Sequence, residues 1–361
     1  MRVVFYYNSS YESVFLLTAI DDLIRKGHAV YLLTTTPAGG LHMRAEKLGA
    51  NVFSTLSKSI YGHYRKLIIF CYKHRIDFVF SHLQQPNLVA VLSQYFIKAS
   101  VWPMRHHADD VYLSGNKNAL KIDKLINVLS RKILVVSDAC KRQMTSLEGV
   151  SAEKIILMPL YYNFDFYASC ESYDTRLFTD NALNLVSIGR MVDNKNHFDL
   201  LKVVKRLTGD GLNIKLVLLD TGPLEAELKK FVNDSDLDDR VFFLGRQTDV
   251  TEHICAADLL VHPSISESSP QVIKEAGICH KPVVAVKGIG DVDEYIVNGK
   301  NGFLLSRDNI QWELYETLKQ IYNERSILID MGNELDKAVR AKFDSGSATV
   351  TYEDIINGSI R

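Results

Sequence analysis

Short apolar runs alternate with helical patterns along nearly all of this 361-residue chain, and the alternation comes in two series. In the first, Arg2–Tyr7, Ala29–Thr34, Asn51–Phe53, Phe78–Ser81, Val101–Arg105, Ile133–Val136 and Ile155–Met158 read as strands. Glu12–Lys26 and Arg44–Leu48 read as helices closed by Gly27 and Gly49, and Ser137-Asp138 reads as the N-cap of a helix over Ala139–Leu147. In the second, Leu185–Ile188, Ile214–Leu219, Val241–Leu244, Leu259–His262, Val283–Val286 and Phe303–Leu305 are strands. Asn196–Leu207, Pro223–Asn233, Val250–Cys255, Pro270–Cys279 and Ile310–Asn323 are helices. Strands separated by helices imply a parallel sheet covered on both faces. The expected fold class is therefore α/β, with two doubly wound, Rossmann-like domains facing a central cleft. The length, too great for one ordinary core, agrees.

The stretch Pro159 to Asn184 has no clean period and reads as the connection. The expected organisation is a first domain over 1–165, a linker over 166–184 and a second domain over 185–339. Glu334–Ile360 reads as helical, with Gly346 as a point of interruption. A C-terminal helix over about 340–361 is expected to pack back onto the first domain.

Charge separates the halves. Residues 1–165 hold 20 Lys+Arg against 12 Asp+Glu, whereas the remainder holds 22 against 31, so only the first half is basic. Such asymmetry suits an anionic partner for that half; drift between two domains is the bland alternative. No run approaches the ~20 apolar residues of a membrane span, and the N-terminus lacks the cleavage region of a signal peptide. The five cysteines are scattered, with no Cys-x-x-Cys, so neither a disulfide framework nor a zinc site is expected. A reducing cytoplasm is the simplest location.

In doubly wound sheets ligands bind at the carboxyl ends of the strands, so the turns there hold the candidates. After Leu259–His262 comes a polar loop and a helix start, with Glu267 on the loop and Glu275 eight positions later inside the helix. A helix N-terminus offers unpaired N–H groups and a positive dipole end, a seat for phosphate. Ionised carboxylates beside it are pure acceptors, suited to sugar hydroxyls. Gly189-Arg190-Met191-Val192-Asp193-Asn194-Lys195 follows the first strand of this domain and places two cations in one turn. Asp220-Thr221-Gly222-Pro223 makes a tight strand-to-helix turn. Gly245-Arg246-Gln247 could lie against a base, and the glycines of Lys287-Gly288-Ile289-Gly290 suggest close backbone approach to a ligand. Taken singly, each has a plain alternative: a solvated loop acid, an exposed helix acid, a pair of surface cations.

In this order and setting, the pieces from about Gly189 to Leu305 resemble the nucleotide-sugar domain of retaining glycosyltransferases of family four, which have the GT-B fold. The resemblance continues more weakly through Val135–Arg142 and Gly149–Ile155. It implies that Arg190 and Lys195 hold the donor diphosphate and stabilise its departing charge. Glu267 would meet the transferred sugar and Glu275 the nucleotide ribose. Gly189, Gly222, Arg246 and Gln247 would complete the donor site, with Ser268, Ser269, Pro270 and Gln271 around phosphate or sugar hydroxyls. Two departures stand out: Ser268 and Asp220 occupy positions where the family often has glycine. The nucleotide sugar is a substrate, so no cofactor is expected. Asp291-Val292-Asp293 has metal-binding spacing, but that motif belongs to another glycosyltransferase fold and no metal is expected here.

The resemblance puts the acceptor, a glycan or a lipid-linked glycan, in the first domain. It also places a histidine facing the donor sugar near His106 and His107, and the choice between them stays open; a core histidine is the alternative for each. Asn8 and Ser9 at the end of the first strand could hydrogen-bond an acceptor sugar, and His82 and Gln84 could line the same cleft. No Gly-x-Gly-x-x-Gly occurs, which argues against a dinucleotide-dependent dehydrogenase. The basic, aromatic stretch Lys58–Arg75 and the basic stretch Lys117–Lys132 could lie on an anionic membrane surface, giving a peripheral position on its inner face. An ordinary core-packed helix is the alternative for the former. No recognised module supports nucleic-acid binding.

The expected function is retaining transfer of a sugar from a nucleoside diphosphate to an acceptor hydroxyl, in surface polysaccharide or lipid-linked glycan synthesis. Electrostatic preorganisation would stabilise the leaving group, and domain closure would exclude water. A nucleotide-sugar epimerase on the same fold and a non-catalytic sugar-nucleotide or membrane-binding scaffold are the rivals.

Overall fold

A computed structural model describes residues 1–107, 110–113, 115–167, 177–179, 181–247 and 249–360. The chain divides into two compact units, Met1–Asn163 with Phe343–Arg361, and Phe164–Lys342.

The first unit is built on a seven-stranded parallel sheet. Its strands are β1 (Arg2–Tyr7), β2 (Ala29–Thr34), β3 (Asn51–Ser54), β4 (Phe78–His82), β5 (Ser100–Arg105), β6 (Ile133–Val135) and β7 (Ile155–Leu157), in the order β3-β2-β1-β4-β5-β6-β7. In the second unit β8 (Leu183–Ile188), β9 (Ile214–Leu219), β10 (Val241–Gly245), β11 (Leu259–His262), β12 (Val283–Val286) and β13 (Phe303–Leu305) take the order β10-β9-β8-β11-β12-β13. All pairings between these strands are parallel. The runs of apolar residues that mark the strands follow from this: all six residues of β8 are buried, as a strand covered on both faces requires.

In each unit the strand order reverses beside the first strand, between β1 and β4 and between β8 and β11. Chains leaving such neighbours turn apart and open a crevice at the carboxyl ends. The turns after β8 and β11 therefore flank the mouth of the second sheet, which sets where its chemistry can be.

Several boundaries move. Part of the expected linker, 168–176 and 180, lies outside the described residues, and its last two residues already belong to β8. The helix Gln84–Ser93 is absent from the sequence reading because Pro86 and a left-handed Leu83 (φ 72°) disguise its start. The C-terminal stretch breaks at the expected Gly346, as a long helix, Ile327–Phe343, a 3-10 turn at Ser345–Ser347 and a short helix, Tyr352–Ile356. Asp344 caps the break by accepting from the Gly346 amide at 2.9 Å. Cys71, Cys140 and Cys279 are free and buried, whereas Cys255 is disulfide-bonded. Among the described residues no helix is long and apolar enough to cross a membrane.

Helix Ile327–Phe343 lies hard against the end of helix Gln271–Ile278. A Cβ on Gly332 would sit 2.0 Å from the His280 carbonyl oxygen, and one on Gly277 would sit 2.7 Å from a Val339 methyl. Backbone cannot yield as a side chain can, so Gly332→Ala should push the long helix away. A loss of about 1–3 kcal/mol is expected from such overpacking, read as a lowered midpoint in chemical denaturation.

Candidate active site

The two turns at the mouth of the second sheet are sewn together by backbone. The turn after β8 ends in Asn194-Lys195-Asn196, with Asn196 left-handed (φ 58°). The Asn194 carbonyl accepts from the Ile265 amide at 2.8 Å and the Ser264 hydroxyl at 3.0 Å. That stitch brings Lys195 to Glu267, and the two form an ion pair. The same carboxylate oxygen of Glu267 is bonded by Nε2 of His262, the buried last residue of β11, at 2.7 Å. Burial alone would push the Glu267 carboxyl up. The His262 hydrogen bond and the Lys195 charge outweigh it and bring it down to about 2, so the acid is held ionised. Neighbouring His197 is pushed down to about 4 by burial, then by His262 and Lys195.

A cavity of about 560 Å³ is lined by Arg190, Thr221, Gly222, Pro223, Glu225 and Arg246. Gly222 is required there. Its Cβ would fall 2.3 Å from the Met191 carbonyl oxygen, because the turn after β9 lies directly on the turn after β8. The Met191 amide donates to Thr221 at 3.1 Å and the Leu224 amide returns a bond to Met191 at 3.1 Å. Asp220 adopts φ 87°, a left-handed conformation that glycine takes more readily, and its carboxylate accepts from the Thr221 amide at 2.8 Å and Arg246 Nε at 3.3 Å. Its negative charge is therefore answered within the turn. Gln247 gives its amide nitrogen to the Leu244 carbonyl at 2.7 Å. Gly189 is spaced normally from the Lys195 side chain, with 3.5 Å between an added Cβ and Cδ.

The helix after Glu267 runs Gln271–Ile278, with Pro270 as N-cap and no side chain capping its first amides. Ser268, Ser269 and Gln271 are half-buried at this mouth. Glu275 is not an exposed helix acid: it is 6% exposed and accepts from Gln271 Nε2 at 2.6 Å. Burial, reinforced by Asp249, pushes its carboxyl up to about 7 against the opposing help of Gln271 and Lys274. Two structural residues escape a reading by motif. One is His262, whose only signal is a histidine closing an apolar strand. The other is Lys274, a lysine on the buried face of a helix. Lys274 is fully buried and ion-paired with Asp291 at 2.8 Å, while Asp293 accepts from the Gly288 amide at 2.6 Å. No group of three His, Cys, Asp or Glu among the described residues is placed to hold a metal. A Cβ on Gly290 would stand 2.8 Å from the Ser268 backbone, so the loop after β12 lies directly against the 267–270 loop.

In the first unit the histidines separate. His107 Nε2 lies 2.8 Å from Asp123 and 3.0 Å from Arg105, within a buried network that includes Glu148, bound by Arg105 at 2.8 Å. Gln84 donates to Asp123 at 2.9 Å and belongs to the same network, so it does not serve as a free acceptor contact. His106 Nε2 instead meets His82 Nδ1 at 2.8 Å. Burial, then the charge of His107, pushes His106 down to about 3, so it is neutral. The assignment of His82 to acceptor contact is corrected: it has no exposed surface and is packed against Phe5, Phe15 and Tyr352. Its imidazole supports His106. Asn8 and Ser9 are half-exposed at the end of β1, with Ser9 Oγ accepting from the Tyr11 amide at 3.2 Å.

Residues 175–341 match the family described as "Glycosyl transferases group 1". A Campylobacter jejuni N-acetylgalactosamine-N,N'-diacetylbacillosaminyl-diphospho-undecaprenol 4-alpha-N-acetylgalactosaminyltransferase is 25% identical over 269 residues, covering 72% of this chain and 70% of that protein. Bacillus anthracis N-acetyl-alpha-D-glucosaminyl L-malate synthase is 22% identical over 362 residues, covering 94% and 92%. Among solved structures, Anabaena HepE in complex with UDP and glucose superposes with a TM-score of 0.83 at 18% identity, over 99% of both chains. That likeness is one of fold, the two-domain GT-B architecture.

The two acids of the second unit should leave opposite marks on stability. Glu275, raised from 4.5 to about 7, holds its proton in the folded state after the unfolded chain has lost it. Its stabilising effect is full below about pH 4.5 and is lost as pH rises to about 7. Glu267, lowered from 4.5 to about 2, stabilises above about pH 4.5, and that effect is lost as pH falls towards 2. Glu275→Gln should raise Tm relative to the parent at about pH 8, and Glu267→Gln should flatten the acid limb; Tm measured against pH checks both.

Proposed function

We propose, on the premise that this chain is a glycosyltransferase whose residues 175–341 belong to the group 1 family, that it moves a sugar from a nucleoside diphosphate to an acceptor hydroxyl with retention of anomeric configuration. The observation that carries this reading is Arg190. It is exposed at the rim of the 560 Å³ cavity, and its guanidinium has no hydrogen-bond or ion-pair partner among the described residues. A guanidinium without a partner there suits the paired oxygens of a diphosphate. The uncapped amides at the start of helix Gln271–Ile278 add positive potential at the same carboxyl end of the sheet. Together they would stabilise the charge that develops on the leaving diphosphate.

The acids take different tasks in this reading. Glu267, held ionised by His262 and Lys195, accepts hydrogen bonds from hydroxyls of the transferred sugar. Glu275, buried and raised to about 7, meets the ribose. Lys195 serves the donor both directly and by orienting Glu267. The UDP and glucose named with the Anabaena structure make UDP-sugars the first donors to test. The diphospho-undecaprenol in the Campylobacter relative's name, and the capsular polysaccharide biosynthesis named for a Staphylococcus aureus relative, support a glycan or lipid-linked acceptor in surface-glycan synthesis. No cofactor and no resident metal enter the reaction as proposed.

The first unit's surface supports a peripheral position on the cytoplasmic face of a membrane. Helix Ile60–His74 buries His63, Leu67, Phe70 and Cys71, yet Tyr61, Ile69 and Tyr72 are 67%, 58% and 59% exposed. Exposed Arg65, Lys66 and Lys73 lie on the same helix. Phe96, 58% exposed, joins the patch, since Tyr72 bonds its carbonyl at 2.8 Å. Helix Lys117–Leu129 likewise exposes Lys117, Lys121, Lys124, Leu125 and Val128. Basic and aromatic groups on one exposed surface suit anionic headgroups.

Donor binding is tested by thermal shift with UDP-, GDP- and ADP-sugars. One class should raise Tm, and Arg190→Ala and Glu275→Ala should each weaken that donor by about tenfold or more. Parent-like binding by both variants would end the site assignment. Nucleotide release that needs no acceptor would favour an epimerase or a hydrolase. For the membrane, vesicles containing phosphatidylglycerol should retain the protein in a salt-sensitive manner and phosphatidylcholine vesicles should not. Lys66→Glu with Lys73→Glu should lower that retention about tenfold.

A further inference from the structure

The Asp-x-Asp sequence, unused by the reaction as proposed, has a place in the fold. Lys274 has no exposed surface. Its ammonium donates to Asp291 Oδ1 at 2.9 Å and Oδ2 at 2.8 Å, and to Ser269 Oγ at 2.9 Å. The Ser269 hydroxyl in turn donates to Asp291 Oδ2 at 2.6 Å. Asp291 is itself only 2% exposed. One residue before it, Gly290 (φ 50°) lies so close to the Ser268 backbone that an added Cβ would be 2.8 Å from both its carbonyl carbon and oxygen. The loop after β12 is thus fastened to the 267–270 loop by an ion pair, a shared hydroxyl and a backbone contact.

Stability alone does not call for this arrangement. A buried ion pair loses solvation on both sides, and well-packed apolar residues of similar volume often serve as well or better. What an apolar pair could not do is grip Ser269 by its hydroxyl. That hydroxyl both gives and receives a hydrogen bond inside the cluster, so it is held rather than offered. Ser269 sits between Glu267 and the N-cap Pro270, so holding it fixes both the sugar-facing acid and the first turn of the helix.

We infer that Lys274 and Asp291 are positioning residues for donor binding, which clamp Ser269 and thereby keep the 267–270 loop in its binding shape before any ligand arrives. The inference rests on the donor reading given above. The clamp acts through geometry, so its loss should weaken binding of the nucleotide without unfolding the protein.

The test separates a clamp from plain core packing. Lys274→Met combined with Asp291→Leu removes both charges at similar volume. The double variant should keep its Tm near that of the parent. It should bind the free nucleotide, whichever of UDP, GDP or ADP the parent binds, about tenfold more weakly by calorimetry. Ser269→Ala should show the same weakening with no loss of Tm, and Ser269→Thr, which keeps the hydroxyl, should restore it. A double variant with parent affinity overturns the clamp. Should the double variant not fold, the Ser269 pair decides: equal affinity in Ser269→Ala and the parent overturns it. Arg190→Ala is the control. If it too binds as the parent does, the donor reading has failed; if it loses binding while the double variant keeps it, the clamp alone has failed.

Discussion

The ion pair of Lys195 with Glu267 joins two turns that the sheet would otherwise let diverge. At the point where strand order reverses, the chains leaving β8 and β11 go to opposite sides, and nothing in the backbone pattern obliges them to meet again. The Asn194 carbonyl, taking bonds from both Ser264 and Ile265, supplies the stitch, and the ion pair with its His262 support sits on it.

Two carboxylates eight residues apart end in opposite states because their surroundings differ. Both are removed from water, and burial pushes both upward. Glu267 has a lysine and a histidine on one oxygen and ionises readily, whereas Glu275 has a neutral amide and a nearby aspartate and does not. The same side chain thus provides a fixed negative acceptor at one end of the loop and a group that can still hold a proton at the other. The division resembles the way paired acids elsewhere are driven apart in affinity for protons.

Much of this could be read from residue types alone. The thirteen strands among the described residues are mostly apolar runs bounded by polar turns, and parallel sheets bury such runs on both faces, so their number and order were plain. The glycosyltransferase resemblance rested on Arg190, Lys195, Glu267 and Glu275, and the group 1 match spans those same residues. What stayed hidden was partnership across the chain. Nothing near Lys195 in sequence shows that Glu267, far along the chain, takes its charge. Nor does any local signal pair Lys274 with Asp291, or set His82 behind His106. Helix Gln84–Ser93 was obscured by Pro86. Local preference marks elements well and marks long-range polar contacts hardly at all.

Tyr352 stands in the core of the first unit, fully enclosed, with its ring 5.1 Å from Phe5 and 4.7 Å from Phe80. In sequence, all of Phe164–Lys342 lies between it and Met1–Asn163, the larger part of that unit. On the ribosome, β1 and β4 therefore emerge with a ring-shaped vacancy between them that only a much later segment can fill. The second unit is continuous in sequence and can complete itself first, although its residues are made after the sheet it interrupts. Order of synthesis and order of completion are inverted in this chain, and the early sheet must stay incompletely closed while the later one assembles.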